Sequence, residues 1–243
     1  MEIITSAENK RVKLYESLKM KKYRDKNGLF IVEEVHMIEE AIKARLLDTL
    51  IIRGETDDIF DFSNTLRVSD PIMKKLSDNV SLNDYIGICR LKENRINFNG
   101  STIVILDDVQ DPGNVGTIIR TAYSFGYRNI VLTKGCADLY NEKTIKATQG
   151  ALFHLNVIRS ERHKIVEKCC QENYKIISTA LEDSIPLSQA EKPERFALVF
   201  GNEGKGISQF IKDNSDQLVR IEMDSFDSLN VAVAAGICLY KYR

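Results

Sequence analysis

From residue 103 onward the chain alternates short apolar runs with stretches of helical spacing, and this rhythm constrains the fold more than any other feature. Strands are predicted at 103–106, 129–133, 154–157, 175–179, 196–200 and 218–221, with helices at 117–125, 141–148, 161–173, 207–213 and 228–242. A strand that reaches the next one through a helix needs a crossover, and crossovers make parallel sheets. Runs such as FALVF are apolar at every position, as a strand covered on both faces requires. The second half is therefore expected to be an α/β domain with a mostly parallel sheet and helices on both faces.

The first half reads as a smaller α/β unit. Strands are expected at 29–32, 50–52, 66–68 and 85–90, a helix at 33–45, and a short helix opened by Ser69, Asp70 and Pro71. Thr5 and Glu8 have the spacing of a capping box, and Val12, Tyr15 and Leu18 recur at helical spacing toward Gly28, which predicts one amphipathic helix. The polar, turn-rich KENRINFNGS at 92–101 marks a boundary between domains at 1–95 and 101–243.

No run approaches the roughly 20 apolar residues that span a bilayer, and the first residues lack a signal peptide's apolar stretch, so a cytoplasmic protein without membrane attachment is expected. Five scattered cysteines and three distant histidines (His36, His154, His163) fit neither a disulfide framework nor a metal-ligand pattern, and no metal is expected. The net charge of −1 excludes a uniformly basic nucleic-acid binder, but charge is uneven. Lys10, Arg11, Lys13, Lys19, Lys21, Lys22, Arg24 and Lys26 face only Glu16 and Asp25 within 9–26. Such a run is either a solvated helix face or a surface for phosphates.

In open α/β sheets ligands gather where loops leave the carboxyl ends of strands. Three such loops stand out: DDVQDPGNVG at 107–116, GNEGKG at 201–206 and EMDSFDS at 222–228. Two are glycine-rich, which suits close approach of backbone to a nucleotide-like ligand. Neither is GxxxxGK[ST], and GNEGKG is not GxGxxG, so NTPase, kinase and classical dehydrogenase readings lose weight.

Taken together, three segments resemble the signature motifs of the SpoU/TrmH-type SPOUT RNA 2′-O-ribose methyltransferases. They are Asn114, Val115 and Gly116 with Arg120, Thr121, Ala122, Phe125 and Gly126; Val199 through Gly204; and Ile221 with Ser228 through Ala234. Lys22 to Lys26 and Gly28 to Glu33 also resemble the small, ribosomal-protein-like RNA-binding domain of the family's ribosomal-RNA branch. The resemblance implies a deep trefoil knot in the C-terminal domain, S-adenosyl-L-methionine as methyl donor, ribosomal RNA as substrate and a homodimer. It places the donor at Thr179, Gly201, Ile221 and Leu229, and the catalytic positions at Arg120, Asn114, Glu203, Ser228 and Asn230. RNA contacts are expected from Lys10, Arg11, Lys21, Lys22 and Arg24.

The reaction needs a ribose 2′-hydroxyl, a poor nucleophile, to be deprotonated or strongly oriented. A guanidinium stays protonated in proteins, so a base role for the family's arginine is awkward. Arg120 is expected instead to clamp the phosphate beside the target ribose and stabilise the developing alkoxide, the proton passing to that phosphate or to water. Thr117 is expected to cap the helix, which would put Arg120 in its first turn. Ser228 is expected to cap the last helix, to face the ribose, or both; Glu203 to pair with Arg120 or with a partner subunit, or to stand solvated. The small residues Ala232, Ala234, Ala235 and Gly236 allow close approach to another element.

Two positions depart from the family pattern: Glu34 stands where glycine is common, and Glu222 where proline is usual. Other readings are a transfer-RNA ribose methyltransferase, a non-catalytic RNA-binding or ribosome-assembly factor on the same fold, and a small-molecule enzyme. The assembly factor would have lost Arg120, Asn114 or Asn230, all of which are present, and a small-molecule enzyme would leave the basic run unexplained.

Overall fold

The computed structural model describes residues 3–79, 81–100, 102–225 and 228–243. The chain divides into two compact units, one formed by the residues up to Glu93 with Tyr140–Ile145, the other by Asn94–Leu139 with Lys146–Arg243.

The first unit contains β1 (Ile3–Ile4), α1 (Lys10–Ser17), α2 (Lys21–Asn27), β2 (Leu29–Val32), α3 (Val35–Lys43), β3 (Leu47–Arg53), β4 (Thr65–Val68), α4 (Asp70–Leu76) and β5 (Tyr85–Arg90). Its sheet runs β1-β4-β3-β5-β2, with β5 antiparallel to both neighbours and the other pairs parallel. Val12, Tyr15 and Leu18 pack with Ile51, Val68, Ile72, Met73, Leu76, Ile86 and Ile88 to form a core.

The single basic helix expected here is two helices. Asn9, not Thr5, is the cap: its side chain accepts from the Arg11 N–H at 2.9 Å, while Glu8 pairs with Lys13. The break after Leu18 leaves carbonyls without helical partners, and the Arg24 guanidinium supplies them, Nη1 donating to the Leu18 and Lys19 oxygens at 2.9 Å each. Arg24 is 7% exposed, so this candidate for RNA contact serves the fold instead. Gly28 closes α2 in the left-handed region, φ 66°, as glycine does best.

The second unit contains β6 (Thr102–Asp107), α5 (Pro112–Ser124), β7 (Asn129–Thr133), α6 (Glu142–Thr148, which begins in the first unit), β8 (Asn156–Ser160), α7 (Arg162–Gln171), β9 (Lys175–Thr179), β10 (Ile185–Pro186), β11 (Phe196–Gly201), α8 (Gln209–Asp213), β12 (Gln217–Arg220) and α9 (Val231–Lys241). All seven strands are parallel, in the order β10-β12-β9-β11-β6-β7-β8. Side chains alternate across the sheet. Ile103, Ile105, Ala197 and Val199 meet Ile165, Val166 and Cys169 of α7 and Ile211 of α8. On the other face Phe196 meets Tyr242 just past α9, with ring centres 5.4 Å apart, and Tyr127 donates to the Leu239 carbonyl at 3.0 Å.

The polar stretch at 92–101 is no free tether in its described part. Tyr174 and Arg195 both donate to the Phe98 carbonyl, at 3.2 and 2.6 Å, and Asn129 accepts from the Asn97 N–H at 3.2 Å. Phe98 itself packs edge-on against Tyr174. Among the described residues no helix is long and apolar enough to cross a membrane, and no three His, Cys, Asp or Glu side chains are grouped as metal ligands would be. All five cysteines are free; burial pushes the Cys169 and Cys238 thiols up to about 12, which leaves them unreactive.

Candidate active site

The three loops singled out in the sequence lie at the carboxyl ends of β6, β11 and β12. α5 starts five residues earlier than its apolar spacing indicated. Asp111 is the cap, its side chain accepting from the Asn114 N–H at 2.8 Å, and Pro112 fills the first helical position. Asp-Pro-Gly reads as a turn, but proline is equally at home in a helix's first turn. The expectation for Thr117 is thereby corrected: it lies in the second turn, and Arg120 in the third, away from the positive helix end. Arg120 is exposed, and among the described residues its guanidinium has no hydrogen-bonding or ionic partner.

Asn114, Glu203 and Asn230 form a ladder that ties the first turn of α5, the loop after β11 and the cap of α9 together. Glu203 Oε1 accepts from Asn114 Nδ2 at 3.0 Å and from the Asp111 N–H at 3.1 Å, and Oε2 accepts from the Gln110 N–H at 3.3 Å. Asn114 Oδ1 accepts from Asn230 Nδ2 at 3.0 Å. Asn230 Oδ1 in turn caps α9, accepting from the Ala232 and Val233 N–H groups at 2.9 and 3.4 Å. Burial opposes ionisation of Glu203, but the bonds from Asn114 and the backbone outweigh it and hold the carboxyl below the usual range. Its acceptors are thus committed to Asn114 and backbone, not to Arg120. Asn230, not Ser228, caps the last helix; Ser228 is exposed beside Phe226 and Asp227, which lie outside the described residues.

The expected donor positions fall at neighbouring strand ends. Thr179 ends β9 and Gly201 ends β11, while Ile221 follows β12; these three strands are adjacent. Thr179 donates to the Val199 carbonyl at 3.3 Å. Leu229 and Leu181 are 38% and 56% exposed, apolar groups of the kind an adenosyl moiety covers. The loop after Gly201 closes on itself, Asn202 and Gly206 exchanging backbone hydrogen bonds at 2.9 Å. Glu222 turns its carboxylate to the Ser188 hydroxyl and N–H, whose hydrogen bonds hold its carboxyl below the usual range; Glu34 precedes α3 without a side-chain capping bond.

In the first unit Lys10, Lys21 and Lys22 are exposed. Lys21 pairs with Asp25 at 2.9 Å, and Lys22 lies over the Tyr23 ring. Arg11 is half-buried and donates to Tyr15, Thr49 and Asn64. Asp111 as cap and Asn202 as clasp were not among the expected site residues; Asn202 Nδ2 donates to the Asp108 carbonyl at 2.9 Å. Asp-Pro before a helix was the available signal for the first; for the second it was an asparagine within the Val199–Gly204 motif, whose side chain also accepts from the Gly204 and Lys205 N–H groups at 3.0 and 3.1 Å as a turn asparagine does.

Residues 101–240 match the SpoU rRNA Methylase family, and residues 9–84 match the MRM3-like substrate binding domain. The chain is 33% identical over 248 aligned residues to the 23S rRNA (guanosine(2553)-2′-O)-methyltransferase RlmP of Bacillus subtilis (strain 168), with 100% of each covered. The rRNA methyltransferase from Sinorhizobium meliloti superimposes with a TM-score of 0.88 at 26% identity, covering 100% of this chain and 97% of that one. Its AdoMet-bound form does so at 0.85 and 27%, with 100% and 97% covered. The fold is that of a SPOUT methyltransferase. The chain belongs to the SpoU rRNA methylase family.

Proposed function

We propose that this protein transfers the methyl group of S-adenosylmethionine to a ribose 2′-hydroxyl of ribosomal RNA, in the cytoplasm and as a homodimer. The ladder Glu203–Asn114–Asn230 carries the reading: it joins the start of α5 and the cap of α9 to the loop after β11, one of the strand ends where the donor is expected, with Arg120 farther along α5 free to meet an anion. Bound there, the donor supplies a sulfonium-activated methyl for in-line displacement by the 2′-oxygen. The ends of β9, β11 and β12 with Leu229 fit it as a surface of backbone and apolar groups.

Arg120 binds the phosphate next to the target ribose and stabilises the alkoxide as it forms, the proton passing to that phosphate or to water. Asn114 and Asn230 fix the loops facing the ribose, and Glu203 holds Asn114 in place. Ser228, exposed beside them, is available to the ribose. Val233, Ile237 and Tyr240 are 51%, 39% and 56% exposed at successive helical turns of α9, an apolar stripe suited to a second copy of the chain. The ribosomal substrate rests on the RlmP relative and on the first unit's match.

The test is transfer of labelled methyl to unmodified ribosomal and transfer RNA, followed by mapping of the product. Label on a ribose of ribosomal RNA is expected; label in transfer RNA alone would overturn the substrate, and no label in either would favour the assembly factor.

Within the basic run, Lys10→Ala and Lys22→Ala are each expected to reduce the slope of log affinity against log salt by about 1 in RNA filter binding. Arg24→Ala, in contrast, is expected to lower the melting temperature, because it strands two carbonyls at the α1–α2 break.

A further inference from the structure

Asp107, the last residue of β6, carries a carboxylate that is 1% exposed, at the strand end leading to Asn114 and Arg120. Oδ1 accepts from Arg162 Nε at 2.5 Å and Oδ2 from the Ser208 N–H at 2.7 Å. Arg162, the first residue of α7, also pairs through Nη2 with Asp108. Ser208 caps α8 and ends the segment that begins at Gly201, the residue paired with Asp107 across the sheet. Asp108 is held in the left-handed region, φ 59°, its N–H donating to Thr133 Oγ1 at 2.9 Å and its carbonyl accepting from Asn202. A carboxylate this buried persists only when paired and hydrogen-bonded, so one guanidinium fastens two consecutive acids at the root of the site.

We propose that Arg162 is a positioning residue for methyl transfer. Through Asp107 and Asp108 it sets the spacing between the loop carrying Gly201 and Glu203 and the start of the helix carrying Asn114 and Arg120. The inference rests on the proposed function. It is independent of the Glu203 ladder, which fastens the same two loops farther out. Lysine in place of Arg162 can reach one acid but cannot fork between two.

The experiment measures kcat, RNA KM, RNA affinity and melting temperature for Arg162→Ala, Arg162→Lys and Asp216→Ala, each assayed well below its melting temperature. Asp216 takes Lys175 Nζ and the Ile176 N–H at the opposite end of the sheet, so its loss destabilises the same unit away from the loops. Misplacement by about 1 Å can cost on the order of 10²-fold in rate, so kcat of Arg162→Ala is expected to fall by about that factor with RNA KM and affinity unchanged. Arg162→Lys is expected between the two, and Asp216→Ala to keep normal kcat despite its stability loss. Normal kcat in Arg162→Ala, or an equal loss in Asp216→Ala, overturns the proposal. If the unsubstituted protein transfers no methyl to RNA, the proposed function itself falls, and this inference with it.

Discussion

Arg120→Ala lowers kcat for methyl transfer by about 10²- to 10³-fold, the loss that follows removal of one charge-stabilising donor from an active site. The side chain is exposed and has no protein partner among the described residues, so the melting temperature is expected to stay where it is. Donor binding should also persist, because the residues proposed to hold the donor lie on other strand ends. Arg120→Lys separates two accounts of the same residue. A point charge replaces the planar fork that grips two phosphate oxygens at once, so most of the loss should remain. Full activity in the lysine variant, with an unaltered pH profile, would rule out a bidentate clamp, and full activity in the alanine variant would remove Arg120 from the reaction.

The parallel sheet was legible because strands alternate with helical stretches and two central runs, Ile103–Leu106 and Phe196–Phe200, are apolar throughout, as strands covered on both faces tolerate. Helix starts were less so, since apolar periodicity reports the buried face and not the cap. α5 begins at Asp111-Pro112, before its first buried residue, and the same error displaced Thr117 and Arg120 by turns. Ser228 and Asn230 are both good caps by type, and the choice between them depends on where the Val231 backbone turns helical. Arg24 looked like surface charge because seven basic neighbours surround it in sequence. Its burial follows from a helix break whose loose carbonyls need a donor, which no periodicity displays. Within the site the residue types were visible as motifs, but the partners were not. Glu203 bonds across about ninety residues to Asn114, and no local pattern distinguishes that from a pair with Arg120.

Gly201→Ala is expected to cost more than its single methyl suggests. A Cβ at this position would lie 2.1 Å from the Gly206 carbonyl carbon and 2.2 Å from the Ile207 nitrogen, both backbone atoms that no rotamer change can move. The 206–207 segment must therefore shift, which breaks the exchange of hydrogen bonds between Asn202 and Gly206 and pulls Ser208 off Asp107. Overpacking of this kind costs about 1–3 kcal/mol, and in a chain of this size each kcal/mol lowers the melting temperature by about 2–4 °C. The same shift moves the end of β11, so S-adenosylmethionine affinity measured by calorimetry should collapse alongside stability. Leu229→Ala is the contrast: it trims an exposed apolar side chain without touching backbone, so it should weaken donor binding modestly and leave melting unchanged. If Gly201→Ala loses stability but binds the donor as tightly as the unsubstituted protein, the β11 loop is a structural clasp and the donor lies elsewhere along the strand ends.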